Sequence, residues 1–355
     1  MPLYMDLHQA SDYPMKPTMD DIKRNHIADL NVQHKYGVRF LQYWINEEAG
    51  LVFCLMEAPN KEACAAVHRE AHGDMPCNVI ELKGGDYNAF MGQGVVNAFD
   101  IVEKADGQLD NGYRFILSLD VISSMTAGTP YERMNNIVQN CGGRSANRPG
   151  HRELIAFNSG AAAIACALQI MQELRQHDAH EVRMGISAGQ PVTDRDDFFG
   201  DGIQLAHRLC DVAHNGQVVV SPLAKQLTGA MALQRFQHET VLKILNAEEE
   251  HFLDLLLDAM NGTVFQPLFS LEALCKKLGL SRSGLYRKTT LLTGRPANDF
   301  IQELRMQRAF HLIRGKQGNV TQIAFEVGYN NPSYFAKSFQ KRFGVPPLQA
   351  LKTVS

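Results

Sequence analysis

Histidine side chains are concentrated at the start of this 355-residue chain, where five of the thirteen lie within the first 72 residues. Cys64, His68 and His72 are spaced four residues apart, so on a helix they would lie on one face. His26 and Asp29, three residues apart, would also share a face. Imidazole combined with thiolate or carboxylate binds nickel, zinc or copper better than magnesium or calcium. The spacing therefore indicates a transition-metal site, and ordinary surface or core histidines remain the alternative.

The elements that would position these side chains alternate over residues 1–85. Apolar and polar residues alternate in a first strand, so that Met5 and Leu7 face one side and Asp6 and His8 face the other. The pattern then predicts a helix at 18–35, a strand at 39–46, a turn at 47–50, a strand at 51–58, a helix capped by Asn60 and ended by Gly73, and a strand at 78–83. This β-α-β-β-α-β order is typical of a ferredoxin-like fold.

The last third of the chain contains two helix-turn-helix patterns, at residues 270–294 and 320–344. In the first pattern Gly279 ends one helix and Ser281 caps the next, which is predicted over residues 282–292. In the second pattern Gly328 makes the turn before a helix predicted over residues 332–343. An amphipathic helix predicted at 299–314 connects the two units. Two such units on one DNA face would enter grooves one turn apart, about 34 Å.

A recognition helix in a major groove presents polar and basic side chains at its start and packs its inner face on the preceding helix. Phe335 and Phe339 occupy inward positions in the second unit. The outward positions predicted to contact DNA are Arg282, Ser283, Tyr286 and Arg287 in the first unit, and Asn331, Ser333, Tyr334 and Lys337 in the second.

Charge is distributed unevenly along the chain. From residue 262 onward there are fourteen lysines and arginines and four acidic residues, a net charge of +10. The whole chain carries −3, so residues 1–261 carry −13. Such asymmetry is expected when one end of a protein meets phosphate and the other does not. A solvated helical bundle is the alternative, but it leaves two patterns with a connecting helix unexplained.

Several short motifs strengthen this interpretation: Leu285-Tyr286-Arg287, Gly294-Arg295-Pro296, Leu304-Arg305-Met306-Gln307-Arg308-Ala309, Ile323-Ala324, Val327-Gly328-Tyr329, Ser333-Tyr334-Phe335 and Phe343-Gly344-Val345-Pro346-Pro347. With them, residues 246–355 resemble the AraC/XylS transcription regulators. The resemblance implies a tandem helix-turn-helix module that binds double-stranded promoter DNA and works with RNA polymerase, most commonly as an activator. Gly284, inside the first recognition helix, departs from this pattern, because glycine weakens a helix by about 1 kcal/mol relative to alanine.

The amino-terminal residues carry a second resemblance. Met5-Asp6-Leu7-His8, Tyr43-Trp44, Cys54-Leu55-Met56-Glu57-Ala58-Pro59 and Val67-His68-Arg69-Glu70-Ala71-His72-Gly73 are its motifs. Through them, residues 1–82 are similar to a small family of nickel-binding ferredoxin-like proteins. The resemblance implies a nickel site, with zinc or copper as alternatives, and a homodimer. The ligands we predict are His8, His26, His68 and His72.

The middle of the chain, residues 113–230, carries a third resemblance. Arg183-Met184-Gly185-Ile186-Ser187-Ala188-Gly189, Phe199-Gly200, Ala206-His207-Arg208-Leu209 and Gly216-Gln217-Val218-Val219-Val220-Ser221 resemble the class III nucleotide cyclase domain. Catalysis there needs two carboxylates to hold two metal ions. Asp120 occupies the first such position, but His151 stands at the second, and Gln204 replaces an asparagine four residues before Arg208. The sequence therefore predicts a degenerate cyclase-like domain kept for dimerisation or ligand sensing.

Length and composition limit the remaining possibilities. No apolar run approaches the ~18 residues that a membrane span needs, and the seven cysteines are scattered without C-x-x-C spacing. We therefore expect a cytoplasmic protein without a signal peptide. The fold class predicted is α+β and multidomain. Its parts are a ferredoxin-like domain at 1–85, a linker at 86–112, a cyclase-like α/β domain at 113–230, a linker at 231–245, and an all-α tandem helix-turn-helix domain at 246–355.

Three classes of function compete for this sequence. The first is a transcription regulator, not an enzyme, controlled by a metal ion such as nickel or by a small molecule bound in the amino-terminal or central domain. The second is an active nucleotide cyclase with a DNA-binding module, and the third is a metal-storage protein with a regulatory tail. The second requires carboxylates that the chain lacks, and the third leaves the two helix-turn-helix units without a role. The sequence therefore favours the first.

Overall fold

A computed structural model of the chain describes residues 1–12, 16–83, 85–92, 94–123, 131–146, 152–175 and 180–353. The first 82 residues fold in the predicted order: β1 (Leu3–Gln9), α1 (Met19–Val32), β2 (Arg39–Asn46), β3 (Leu51–Glu57), α2 (Lys61–Ala71) and β4 (Asn78–Leu82). The strands form one antiparallel sheet in the order β2-β3-β1-β4, which is ferredoxin-like. Side chains of Thr18 and Asn60 cap the two helices as the sequence suggested for Asn60.

The next segment, residues 86–112, differs from the predicted linker. It contains α3 (Asp86–Phe90), β5 (Val95–Val96) and β6 (Val102–Glu103). Phe90 and Val102 are buried in the core that the first sheet shares with the middle of the chain. Asp110 forms a buried ion pair with Arg114, at 2.8 Å from Nη2. Polar, glycine-punctuated composition suggested an open connector, but these few buried side chains are enough to pack the segment.

The middle of the chain forms a six-stranded sheet. Its elements are β7 (Arg114–Ser123), α4 (Tyr131–Asn140), β8 (Arg144–Ser145), β9 (Glu153–Phe157), α5 (Gly160–Arg175), β10 (His180–Gly189), α6 (Gly200–Val212), β11 (Gln217–Val220), α7 (Pro222–Thr228), α8 (Ala230–Leu233) and β12 (Leu242–Ile244). The strand order is β12-β11-β10-β7-β9-β8. Strands β10-β7-β9-β8 repeat the ferredoxin-like order of the first sheet. Because β12 pairs with β11 at its edge, residues 242–244 of the predicted second linker belong to this sheet.

The remainder is helical: α9 (Ala247–Met260), α10 (Leu271–Leu278), α11 (Arg282–Thr293), α12 (Ala297–Arg314), α13 (Val320–Glu326), α14 (Pro332–Phe343) and α15 (Pro347–Thr353). Ser281 caps α11, and Asn331 caps α14. Gly279 and Gly328 adopt positive φ angles of 64° and 86° at the two turns, as helix ends favour. The connecting helix α12 begins two residues before the predicted start. None of the helices in the described part of the chain is long and apolar enough to cross a membrane.

We expect Asp110→Ala to destabilise the protein by about 3–5 kcal/mol, because it leaves the buried Arg114 guanidinium without its charge partner. Asp110 also accepts the backbone N–H of Gly112, at 2.9 Å. Asp106→Ala, in the nearby exposed loop, is the matched control and should change stability little. Denaturant unfolding measures both, and equal stability of the two variants would contradict the packed connection.

Candidate metal centre and nucleic-acid interface

Five side chains of the amino-terminal domain form a cluster, which we call the amino-terminal cluster: Asp6, His8, Asp29, His68 and His72. His68 on α2 lies at its centre, between two buried carboxylates. Its Nε2 is 2.8 Å from Asp6 Oδ2, and its Nδ1 is 3.1 Å from Asp29 Oδ1. Asp6 comes from β1 and Asp29 from α1, so the cluster ties both helices to the sheet. Asp6 is fully buried, and Asp29 and His68 are 3% and 1% exposed. Buried charges of this kind are stable only when they are paired.

His8 and His72 extend this cluster at its two ends. His8 Nε2 is 3.7 Å from Asp6 Oδ1, and His72 Nε2 is 3.2 Å from Asp29 Oδ1. Two sets of possible ligand atoms therefore share His68: Asp6, His8 and His68 form one, and Asp29, His68 and His72 the other. Within each set the atoms lie within 4.8 Å of one another. The described residues thus bring three of the four predicted histidines together.

Burial and pairing have opposite effects on the titration of this cluster. Burial alone would lower the pKa of His68, but its hydrogen bonds to Asp29 and Asp6 raise that pKa to about 10. Burial would raise the pKa of Asp6, yet the neighbouring His8 and His68 hold it well below its usual range. The imidazolium of His68 is therefore held between two carboxylates at neutral pH, and these three groups together carry one net negative charge.

His26 lies apart from both sets. Its Nε2 is 3.1 Å from Asp100 Oδ2, in the connecting segment, and its ring lies 4.5 Å from that of Tyr43. Cys64 also takes no part, because its Sγ donates to the carbonyl of Asn60 at 3.5 Å. Burial raises the pKa of the Cys64 thiol to about 12, so it stays protonated. Asp6 was not among our predicted ligands, although strand alternation placed it on the same face as His8.

The donors of the cluster fit a borderline transition metal. Each set offers imidazole nitrogen together with carboxylate oxygen, the combination that suits nickel, zinc or copper. Metal binding requires neutral imidazole, so His68 would have to release its proton. His8, His68 and His72 with Asp6 or Asp29 are the residues that would hold the ion.

The first recognition helix, α11, exposes all four of its predicted DNA-contacting side chains. Tyr286 is 56% exposed, while Leu285, Thr289 and Leu292 on the other face are buried. Arg282 forms an exposed ion pair with Glu272 of α10. Exposed pairs of this kind contribute little stability, so a phosphate or base could replace Glu272 as the partner.

The second recognition helix, α14, has the same arrangement. Asn331, Ser333, Tyr334 and Lys337 are exposed, with Tyr334 at 60%. Phe335 and Phe339 are fully buried, as predicted. The Asn331 side chain accepts the backbone N–H groups of Ser333 and Tyr334 at 2.9 and 3.1 Å. A direct base contact by Asn331 would therefore cost part of this helix cap.

Opposite the recognition surfaces, the helical module packs on the middle domain through buried and partly buried charges. Glu303 of α12 is 2.5 Å from Arg183 Nη2 and 2.9 Å from Arg342 Nε of α14. Arg342 also donates to Glu181 of β10 at 2.7 Å. Burial alone would raise the pKa of Glu303, but the hydrogen bonds and charges of Arg342 and Arg183 lower it to about 2. We call Glu181, Arg183, Glu303 and Arg342 the charged clasp.

Asp120, predicted from the sequence to stand at the position of a cyclase metal ligand, is part of the same interface. It is 2% exposed, and its carboxylate lies 3.4 Å from Arg152 Nε and 3.3 Å from His311 Nε2 of α12. Arg208 pairs with Asp254 and Asp258 of α9. His151 lies outside the described residues. Asp120 and Arg208 are therefore paired largely with the DNA-binding module.

Comparison with known proteins agrees with the fold at both ends of the chain. Residues 274–353 match the family described as "Helix-turn-helix domain", and residues 4–82 match "Nickel responsive protein SCO4226-like". The HTH-type transcriptional activator RhaR of an Enterobacter species is 29% identical over 119 residues, which are 34% of this chain and 42% of that protein. The chain spans about half or less of the length of the curated relatives it matches.

Solved structures show likeness to separate parts of the chain. SCO4226 from Streptomyces coelicolor is 32% identical, covers 22% of this chain and 94% of its own, and gives a TM-score of 0.21. An adenylate/guanylate cyclase/hydrolase from Silicibacter pomeroyi is 26% identical and covers 33% of this chain and 79% of its own, with a TM-score of 0.27.

The tandem helix-turn-helix geometry and the family matches lead to the same assignment. Residues 274–353 resemble the AraC-type helix-turn-helix regulators, and residues 4–82 resemble the nickel-responsive SCO4226-like proteins.

Proposed function

We propose that this DNA-binding transcription regulator responds to a metal ion of the nickel class, bound in its amino-terminal domain. The observation that carries the proposal is the orientation of the helical module. Both recognition helices expose their predicted contact residues, while the opposite side of the same module is held by the charged clasp. A module that is free to bind DNA and also fixed to a sensor is what effector control requires.

The two recognition helices are proposed to make chemically different contacts with DNA. Arg287 and Tyr286 in the first half of α11 are proposed to contact base edges, because arginine can bind guanine through two hydrogen bonds. Lys337 of α14 is proposed to contact phosphate, which positions the helix without selecting sequence. The net charge of +10 from residue 262 onward supports approach to the DNA backbone.

Coupling requires that the effector favour one arrangement of the domains over another. The charged clasp supplies a contact that can exist in two states, formed or broken, because its side chains come from β10, α12 and α14. Typical coupling free energies are about 1–3 kcal/mol. Arg183 and Glu303 are buried, so breaking the clasp without replacement partners would cost more than that range. If the charged clasp rearranges, its side chains must therefore form ion pairs with other residues or become hydrated.

Contacts within the chain connect the proposed metal site to the middle domain. A bound ion supplies a positive charge that would replace the proton of His68. Asp6, Asp29 and His68 then hold β1, α1 and α2 around one centre. Asn78 of β4 donates to the carbonyl of Thr193, at 2.7 Å, in the loop before α6. A shift of the first sheet would reach the middle domain through this contact.

The proposal also includes a homodimer, contact with RNA polymerase and a location in the cytoplasm. The resemblance of both terminal domains to dimeric or promoter-bound families supports the first two. Analytical ultracentrifugation of the purified chain measures the oligomeric state.

A second effector site is favoured by one observation. A cleft of about 1070 Å³ lies where the amino-terminal domain, the middle domain and the helical module meet. Arg152, His207 and His311 line it. A nucleotide or other small molecule bound there would contact both sides of the interface directly.

We expect Arg287→Ala to weaken binding to the specific site by about 1–3 kcal/mol and to relax preference at one base position. Fluorescence anisotropy with a set of single-base operator variants measures both effects. Arg235→Ala is the matched control, because Arg235 is an exposed arginine of the middle domain. Loss of affinity that is equal for all sequences would assign Arg287 to phosphate instead.

The first test of the whole proposal is titration of the metal-stripped protein onto its own promoter DNA, with and without Ni(II), at one salt concentration. A several-fold shift in affinity or a changed footprint is the expected result. His72→Gln combined with Asp29→Asn should abolish the shift and leave metal-free DNA binding intact. Binding that ignores Ni(II) would move the search for the effector to the interdomain cleft. Equal affinity for specific and random DNA would overturn the regulator itself.

Glu181→Gln tests the clasp within the same titration. It removes one charge that pairs with Arg342 and leaves the helical module unchanged. We expect a smaller difference between the Ni(II)-bound and metal-free affinities. Glu173→Gln, which alters an ion pair with Arg133 elsewhere in the middle domain, is the control. An undiminished Ni(II) effect in Glu181→Gln would remove the clasp from the coupling.

Purified protein incubated with ATP and Mg(II) or Mn(II) should form no cyclic nucleotide. The reason is that Asp120 is paired with Arg152 and His311, and two metal ions need two free carboxylates. Chromatographic detection of cyclic AMP, with an authentic cyclase as positive control, measures the outcome. Any metal-dependent product would restore the cyclase alternative.

A further inference from the structure

The amino-terminal domain contains a cavity of about 300 Å³ between α1 and strands β2 and β3. Protein interiors rarely leave spaces larger than a single water molecule. Under α2, on the same sheet, Cys64 and Val67 are fully buried. The open volume is therefore a local feature of α1.

The sequence of α1 explains why the space is left open. Its buried residues are His26 and Asp29, and both are polar. Ile22 and Met19, one and two turns before His26, are only half-buried and line the cavity. Ile45 and Val52 form part of the opposite wall. A partly open space whose lining combines these apolar side chains with polar ones such as His26 and Tyr43 is typical of a small-molecule site.

Two polar atoms at the inner end have no hydrogen-bond partner among the described residues. They are the hydroxyl of Tyr43 and Nδ1 of His26. Both residues line the cavity, and they are only 1% and 6% exposed. A buried polar group without a hydrogen-bond partner destabilises the folded protein. A ligand that forms hydrogen bonds with both atoms would therefore gain binding free energy.

The hydrogen-bonding character of these two atoms can be assigned. His26 Nε2 lies 3.1 Å from the carboxylate of Asp100, so Nε2 carries the proton that it donates. In the neutral ring Nδ1 is then an acceptor. Burial raises the pKa of Tyr43, so its hydroxyl keeps its proton and can donate. One acceptor and one donor lie side by side, on rings whose centres are 4.5 Å apart.

We propose that this cavity binds a small, uncharged organic molecule with a compact apolar body and one hydroxyl or carboxamide head. The head donates to His26 Nδ1 and accepts from Tyr43, while the body fills the space between Ile22, Ile45 and Val52. The metal ligands His68 and Asp29 lie at the edge of the same cavity. The inference goes beyond the proposed metal response and does not require it.

Ligand binding here would also contact the connection to the middle domain. Asp100 belongs to the segment 86–112, and its carbonyl accepts the backbone N–H of Tyr43 at 2.9 Å. Ile101 and Val102, which follow it, are buried. Asp100 has a positive φ of 61°, a conformation that favours asparagine, aspartate and glycine. The His26–Asp100 pair thus joins the cavity wall to a packed, conformationally restricted segment.

The test uses three probes of one size on the full chain: 2-naphthol, naphthalene and 2-naphthoate. Isothermal titration, with metal-free and Ni(II)-loaded protein, measures affinity. We expect saturable one-to-one binding of 2-naphthol, about tenfold tighter than that of naphthalene, because only the hydroxyl satisfies both polar atoms. The charged 2-naphthoate should bind more weakly than 2-naphthol. No saturable binding of 2-naphthol, or equal affinity for 2-naphthol and naphthalene, would overturn the proposal.

Two variants locate the site. Ile22→Trp fills the cavity and should weaken 2-naphthol binding at least tenfold. Ile27→Trp, the same change at a 51% exposed position of the same helix, should leave binding unchanged. Tyr43→Phe should weaken binding several-fold without lowering the melting temperature, which a purely structural hydroxyl would not do. Unchanged affinity in Ile22→Trp would place the ligand elsewhere. DNA and Ni(II) binding, measured on the same samples, report separately on the proposed function.

Discussion

One carboxylate, that of Glu303, determines how the two halves of the molecule are arranged. It lies between the guanidinium groups of Arg183 in the middle domain and Arg342 in α14. A buried charge without a partner is strongly destabilising, so α12 can pack on the middle domain only where these groups meet. Because α12 connects both helix-turn-helix units, its position sets the position of both recognition helices. Tyr286 and Tyr334 are exposed in that arrangement.

Local signals in the sequence were sufficient for most of the secondary structure and for the inner faces of the helices. Ser281 and Asn331 cap helices, Gly279 takes the left-handed conformation, and Phe335 and Phe339 are buried, all because neighbouring residues decide these features. The ferredoxin-like order of the first 82 residues followed in the same way. The residues proposed to contact DNA and to bind a metal ion stay predictions. The structure shows that the former are exposed and that three of the four histidines lie close together, but neither observation shows what these residues bind.

Contacts between distant residues could not be predicted from spacing. Asp6 and His68 are 62 residues apart, and Arg183 and Glu303 are 120 apart. Helical spacing suggested that Cys64 and His68 would belong to one metal site. The helix face that they share also packs on the sheet, and Cys64 is buried there in the core. The segment 86–112 was mistaken for a linker because its composition is polar. Phe90 and Val102, although few, insert into a core built by other elements.

The two ferredoxin-like sheets share four strands in the same order but differ in how their interiors are packed. This difference suggests that they have different roles in the response to an effector. Beneath α5 the second sheet is filled by apolar residues such as Ala163, Ile164 and Ile170, so it transmits displacement rather than absorbing it. Beneath α1 the first sheet has buried charges and an open cavity, which can change with occupancy. Contact between them includes their shared hydrophobic core and the hydrogen bond from Asn78 to the loop before α6, and α6 contacts α9 through Arg208 and Asp254. Spatial continuity does not by itself establish coupling. Along these contacts, a signal from the first sheet passes through the middle domain before it reaches the DNA-binding helices.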